Sequence, residues 1–282
     1  MKDLRIEIDG GVALWTIDRP AENNTMGGTL LADLLAAAAE AAADDRIKVV
    51  VTAAEGANWC VGADLADLDA HLGAPLEDLL HGSDVGGEKG LPPRTGAARR
   101  LDRLGIGQWV LTFRALEKPL VAAVDGPVAG GGLALLALHD IRFASEAARF
   151  TTGFANVGVG PEMGLSWFLP RLVGPGAAAD LLLSGRVIDA AEAQALGLVQ
   201  RVVPPGAVKA EALAYAARLA RLPVAGTQAT VAALRAALER TLPAQLELEW
   251  RHQRECFASE EVPARVRRLL ARPAPAVEDE GP

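Results

Sequence analysis

Short apolar runs alternate with longer amphipathic stretches along most of the chain. Lys2-Asp3-Leu4-Arg5-Ile6-Glu7-Ile8 changes sides residue by residue, the period of a half-buried strand, and Val12 to Ile17 reads as a second strand. Thr29 to Ala43 is an Ala/Leu-rich stretch of helical length. Ile47 to Thr52 and Pro119 to Val124 are short apolar runs that suit buried strands. Gly10-Gly11, Gly56 and Gly126-Pro127 mark turns. Strands in alternation with helices predict an α/β fold. After Val203-Pro204-Pro205-Gly206 the strand pattern stops. Ala207 to Arg221, Thr227 to Arg240, Pro243 to Ala258 and Pro263 to Ala271 read as helices separated by proline-containing breaks. Leu234, Leu238 and Leu242 form an apolar stripe, and helices this short need a surface to pack on. The pattern divides the chain into a core over 1–203 and a helical region over 204–282. The Pro- and acid-rich end, 273–282, reads as disordered. Between Leu80 and Gly107 glycine and proline become dense, which predicts a flexible or irregular connection, such as a surface insertion.

Composition narrows the function. Half of the 282 residues are hydrophobic but only 4% are aromatic, so the core must be mostly Ala, Leu and Val. The net charge of −8 argues against nucleic acid, which needs a basic face, yet leaves room for an anionic small molecule at a local basic patch. Cys60 and Cys256 are far apart. They have no metal-ligand spacing and suggest no disulfide framework, so a reducing cytoplasm is expected. The N-terminus reads as a strand rather than a signal peptide, and no apolar run approaches membrane-spanning length.

Two segments carry candidate chemistry. Gly130-Gly131-Gly132 opens the apolar run Leu133 to Leu138 directly after the strand-like Leu120 to Val124. A strand that turns through glycines into a buried helix leaves backbone N–H groups over the helix start, where they can hold a developing oxyanion. Close packing of helix on strand is the other reading. No Lys-Ser or Lys-Thr follows, and the spacing is not that of a dinucleotide fingerprint, which disfavours a phosphate cradle. The second segment, Gly158 to Arg171, reads as a turn with Pro161 at the first helical position and Glu162 inside the first turn. Such an acid can serve as a base, or simply complement the helix dipole.

The chain resembles the crotonase (enoyl-CoA hydratase/isomerase) superfamily. The resemblance lies in Ile17-Asp18-Arg19-Pro20, Trp59-Cys60-Val61-Gly62-Ala63-Asp64-Leu65, Lys118 to Gly126 and Ala129 to Gly132. It continues through His139 to Ala144, Leu169 to Gly174, and from Leu183-Ser184-Gly185 to Val199, in the family's order over residues 5 to 203. It implies a crotonase-like ββα spiral core with a C-terminal helical domain that covers it and builds trimers or dimers of trimers. The implied substrate is an acyl thioester, with coenzyme A entering as part of the substrate and neither prosthetic group nor metal required. A carrier-protein thioester is the alternative.

By the same resemblance, Val61 and Gly131 supply the two N–H groups of an oxyanion hole. Asp64 and Leu65 match the stretch whose backbone holds adenine. Ala63 and Gly130 flank these substrate-binding positions, and Trp59, Phe154 and Trp167 are candidates for the acyl pocket or for the core, where aromatics at such positions usually lie. The hydratases' two glutamates are replaced by Ala134 and Phe154, neither of which moves a proton. The remaining acid, Glu162, matches the single carboxylate of the Δ3,Δ2-enoyl-CoA and epoxyphenylacetyl-CoA isomerases. One carboxylate suffices to shift a double bond, which makes an enoyl-CoA isomerase the leading expectation; a single-acid hydratase and a catalytically silent acyl-CoA binder are the alternatives. Aroyl-CoA dehalogenase chemistry lacks its histidine, since Gly107 stands at that position. The family's usual phosphate-binding base after the Arg-Pro turn is also missing, which leaves Arg19, or Arg267 and Arg268, to meet the CoA phosphates. His71 and His81 are read as surface residues.

Overall fold

A tight hairpin begins the chain. Strand β1 (Leu4–Asp9) pairs antiparallel with β2 (Val12–Ile17), and Asp9 faces Val12 across Gly10-Gly11. Both turn residues have positive φ, 53° and 88°, as the twist of a two-residue hairpin requires. The structure, a computed structural model, describes residues 1–65, 69 and 107–271. The irregular connection expected between Leu80 and Gly107, apart from Gly107 itself, lies outside the described residues, as do His71, His81 and the tail 273–282.

From β2 onward the main sheet is parallel. Its order is β1-β2-β3-β4-β6-β9, with β3 at Val49–Ala54, β4 at Leu120–Val124, β6 at Ile141–Ser145 and β9 at Arg201–Val203. A smaller sheet joins β5 (Val128–Ala129), β7 (Arg149–Thr151) and β8 (Ile188–Asp189). The central strands are buried on both faces, which is why they read as continuous apolar runs. Val49, Val51 and Ala53 point to one cluster, and Val50 to another.

Helix α1 (Leu30–Ala43) buries Leu30, Leu34, Ala37, Ala38 and Ala41 in the larger cluster. Its start is fixed by Asp3, whose Oδ2 accepts from the Thr29 amide at 2.6 Å and from Arg19 Nη1 at 2.9 Å. Its last carbonyls are met by the buried Lys118, whose Nζ donates to the carbonyls of Ala41 and, at 2.7 Å, Asp44. The larger cluster also takes in side chains of α2 (Gly107–Arg114), α3 (Gly131–Ala137), α4 (Leu165–Val173) and α5 (Pro175–Ser184). The short α6 (Ala190–Ala195) is N-capped by Asp189, whose Oδ1 accepts from the Glu192 amide at 2.8 Å.

Two compact units result, Met1–Ala220 and Arg221–Pro282. The sequence pattern placed the change at 203/204. Helix α7 (Val208–Leu219) belongs instead to the sheet, because Val208, Ala212, Ala216 and Ala220 form a row of small side chains packed on Val49, Val51, Val121 and Phe143. A helix with alanine every fourth position can approach a sheet closely on that side. The second unit holds α8 (Val224–Ala237), α9 (Leu242–Ala258) and α10 (Glu261–Leu270). Among the described residues no strand follows Val203, as the sequence pattern anticipated.

Candidate active site

Two backbone segments, one following β3 and the other following β4, are pressed together. The Trp59 amide donates to the Pro127 carbonyl at 3.0 Å, and the Ala129 amide to the Cys60 carbonyl at 3.1 Å. Neither segment has room for side chains where they meet. A Cβ on Gly62 would lie 2.8 Å from the Ala129 oxygen and 2.9 Å from the Gly131 nitrogen, and one on Gly132 only 2.1 Å from the Cys60 oxygen. Gly130, at φ 52° and ψ −122°, makes the turn into α3 that a side chain would strain. The packing role of the glycines and their role as N–H donors are therefore one arrangement. Close approach brings Gly62 against the Gly131 amide at the open start of a helix. Among the described residues neither the Val61 N–H nor the Gly131 N–H has a hydrogen-bond acceptor.

A cavity of about 720 Å³ lies over these amides. It is lined by Val61, Ala63, Asp64, Leu65, Gly130, Gly131, Phe154 and Glu162, so most of the residues picked from the sequence meet in one place. Three of the picked residues in the first unit do not share the lining. Trp59 is 1% exposed and packs edge-on against His139, with ring centroids 6.0 Å apart, as a core residue. Arg19 is committed to Asp3 in a buried ion pair, beneath Gly28, and does not face the cavity. Trp167 stacks under Arg171, whose guanidinium carbon lies 3.9 Å from its ring centroid, and is likewise absent from the lining. Arg267 and Arg268 are exposed residues of α10 in the second unit, where Arg267 Nε donates to the Pro263 carbonyl.

Glu162 enters the cavity from a turn, not from a helix. Sequence reading put it in the first helical turn, with Pro161 at the helix start; the structure begins α4 at Leu165. Met163 and Gly164 intervene in left-handed conformation, φ 52° and 76°, and such residues cannot continue a right-handed helix. The Leu165 amide closes the turn on the Glu162 carbonyl at 3.0 Å. Glu162 is an exposed residue, open to the cavity, with its carboxylate partly enclosed by the cavity walls. Burial raises its pKa above the ordinary 4.5. Among the described residues nothing hydrogen-bonds to its carboxylate.

The sequence reading missed the turn that forms another wall. Glu22, Asn23 and Thr25 line the cavity, and Thr25 Oγ1 donates to Asp64 Oδ2 at 3.3 Å. Asn23 and Asn24 are both left-handed, and the buried Asn24 side chain donates to the carbonyls of Glu55 and Asn58 at 2.8 and 2.6 Å. The tandem asparagines after Arg-Pro were the available signal, since Asn tolerates this conformation best after Gly. Val157, Val159 and Gly160 add apolar wall beside Phe154. Ala134 is fully buried within α3. His139 is also a core residue. Its Nε2 lies 2.9 Å from Thr52 Oγ1, its Nδ1 lies 3.0 Å from the Leu135 carbonyl, and burial pushes its pKa down to about 4. No group of His, Cys, Asp and Glu among the described residues could hold a metal ion.

Residues 103–274 match the family model described as enoyl-CoA hydratase/isomerase. The chain belongs to that family. Its enoyl-CoA hydratase/isomerase relatives include the "1,2-epoxyphenylacetyl-CoA isomerase" of Escherichia coli K12, 30% identical over 98% of both chains. A "Probable enoyl-CoA hydratase" of Rhizobium meliloti is 33% identical over 92% of this chain and 91% of its own. Rat "Enoyl-CoA delta isomerase 2" is 31% identical over 79% of this chain and 51% of its own. Among solved structures, an enoyl-CoA hydratase/isomerase from Cupriavidus metallidurans CH34 superposes with a TM-score of 0.82 at 30% identity, covering 96% of this chain and 94% of that one. The expected crotonase fold is the fold observed, and the family's names span both hydration and isomerisation.

Proposed function

We propose that this enzyme is an enoyl-CoA isomerase with Glu162 as its proton shuttle. In this reading the thioester oxygen of a 3-enoyl-CoA accepts hydrogen bonds from the Val61 and Gly131 amides. The Glu162 carboxylate removes a proton from C2, and the electrons pass into a dienolate whose negative charge rests on that oxygen. The carboxylic acid so formed returns the proton at C4, leaving the double bond between C2 and C3. Fixed amides stabilise the enolate without reorganising, and loss of one such donor typically costs about 3–4 kcal/mol of barrier. The observation that carries the reading is that Glu162 shares a cavity with the Val61 and Gly131 amides, which have no acceptor among the described residues.

The hydratase names among the relatives favour a second reading, hydration by Glu162 alone. Parallel assays of 3-enoyl-CoA isomerisation and crotonyl-CoA hydration separate the two. Glu162→Gln is expected to lower isomerase turnover by about a hundredfold or more with acyl-CoA binding nearly unchanged. Wild-type turnover in that variant sinks the assignment, and robust hydration that survives it sinks both readings.

Coenzyme A is the carrier in this proposal, free of any prosthetic group. Arg267 and Arg268 remain the proposed phosphate ligands, and Arg19, spent on Asp3, is withdrawn. Two free cysteines fit a cytoplasmic setting. The exposed Leu234, Leu238, Leu242 and Trp250 of the second unit fit a homotrimer or a dimer of trimers, and a solution mass of 29.4 kDa, that of a single chain, would exclude both.

A further inference from the structure

Met163 holds an unusual position. It is left-handed at φ 52°, a conformation that a long side chain rarely adopts, and only 3% exposed. Its neighbours divide sharply: Glu162 opens into the cavity, whereas the Met163 side chain turns into the larger core cluster. A Cβ on Gly131 would lie 3.2 Å from the Met163 sulfur and 2.7 Å from that of Met26. Two thioethers therefore close the space beside the Gly131 backbone, and one of them belongs to the residue that follows Glu162. Met26 is tied to the facing segment as well, since its amide donates to the Gly62 carbonyl at 2.7 Å.

From this geometry we infer that Met163 is a positioning residue: its buried thioether, wedged beside Gly131, sets the distance between the Glu162 turn and the backbone amide. The inference rests on the reading of Glu162 as the base. The left-handed turn sends adjacent side chains to opposite destinations, so anchoring one in the core aims the other at the cavity. Thioethers suit the task, because a flexible, polarizable side chain fills an irregular gap without offering a strong hydrogen-bond acceptor to the Gly131 N–H. Any slack in this contact lets the carboxylate drift relative to the bound thioester, and a misplacement of about 1 Å can cost about a hundredfold in rate.

The test compares Met163→Ala, Met163→Leu and Glu162→Gln in the 3-enoyl-CoA isomerisation assay, with pH profiles. Met163→Ala is expected to lower kcat by about 10- to 100-fold with KM changed less than about threefold. Its acidic limb should move toward the ordinary glutamate range as the slackened turn lets the carboxylate leave its partly enclosed position. Met163→Leu, which refills the space at the same backbone cost, should recover most of the turnover. A merely structural residue would lower the folded fraction without moving the limb. Met163→Cys stands in if the alanine variant does not fold. Wild-type kcat, an unmoved limb or equal loss in Met163→Leu overturns the inference. If Glu162→Gln turns over like wild type, it is the base assignment that fails, whatever Met163 does.

Discussion

Glu162 must be ionised to take a proton from carbon and yet basic enough to be effective, and its surroundings bear on both. Burial raises its pKa above 4.5, so its basicity grows. The sign follows directly. The base is lost as pH falls through the raised value, so kcat/KM should decline on the acid side at a pH above the ordinary glutamate range. An acidic limb at or below 4.5 in the free enzyme would contradict the described environment. That this acid faces the cavity was legible, because Pro161-Glu162 follows a glycine-rich turn. Its exact setting was not. Pro-Glu-Met-Gly looks like a helix start, and nothing in a methionine announces the positive φ that delays α4 to Leu165.

At the scale of elements, glycines join the β3 and β4 connections into one floor. Gly132 is the tightest point, since a Cβ there would meet the Cys60 carbonyl at 2.1 Å, against backbone that cannot step aside. Gly132→Ala should therefore destabilise by about 2 kcal/mol or more and displace the neighbouring Gly131 amide. Gly176, near the start of α5, has open space around its Cβ position and no positive φ, so Gly176→Ala should be neutral or stabilise by about 0.5–1 kcal/mol. Urea unfolding of the two variants checks the contrast, and equal effects would mean that the two segments are not in contact. Strands β1 to β4 and α1 were legible from periodicity to within two residues, Thr29 to Ala43 against Leu30–Ala43 for the helix, whereas the strands β5 to β9 were not read from it. Helix α7 was legible as a helix but not as part of the sheet's covering. Its alanine row suits a close-packed face and an exposed one equally, and only the valines of β3 and β4 decide between them.

For the whole molecule, the buried groups set how the fold answers acid. Desolvation holds His139 at about 4, below its ordinary 6.5, because its ring is enclosed between Thr52 and the Leu135 carbonyl. The unfolded chain therefore takes up a proton on this histidine before the folded one does. Between pH 6.5 and about 4 stability falls by ~1.4 kcal/mol per pH unit, a total on the order of 3 kcal/mol. Asp3 adds to the loss at lower pH. Burial opposes its ionisation, but hydrogen bonds from Thr29 and Arg19 outweigh that and keep its pKa below 3.8, so its contribution disappears as it protonates. Glu162 works in the opposite direction, since its raised pKa makes the folded state the better proton acceptor and favours it as pH falls toward 4.5. With the larger shift, His139 should dominate. His139→Gln, whose amide can still reach Thr52 and takes up no proton, is expected to be less stable at pH 7 yet nearly flat between pH 6.5 and 5. Unfolding followed by tryptophan fluorescence reads this, since Trp15, Trp59, Trp109 and Trp167 all lie in the unit that contains His139. An undiminished acid slope in the variant would assign the lability to carboxylates such as Asp3 instead.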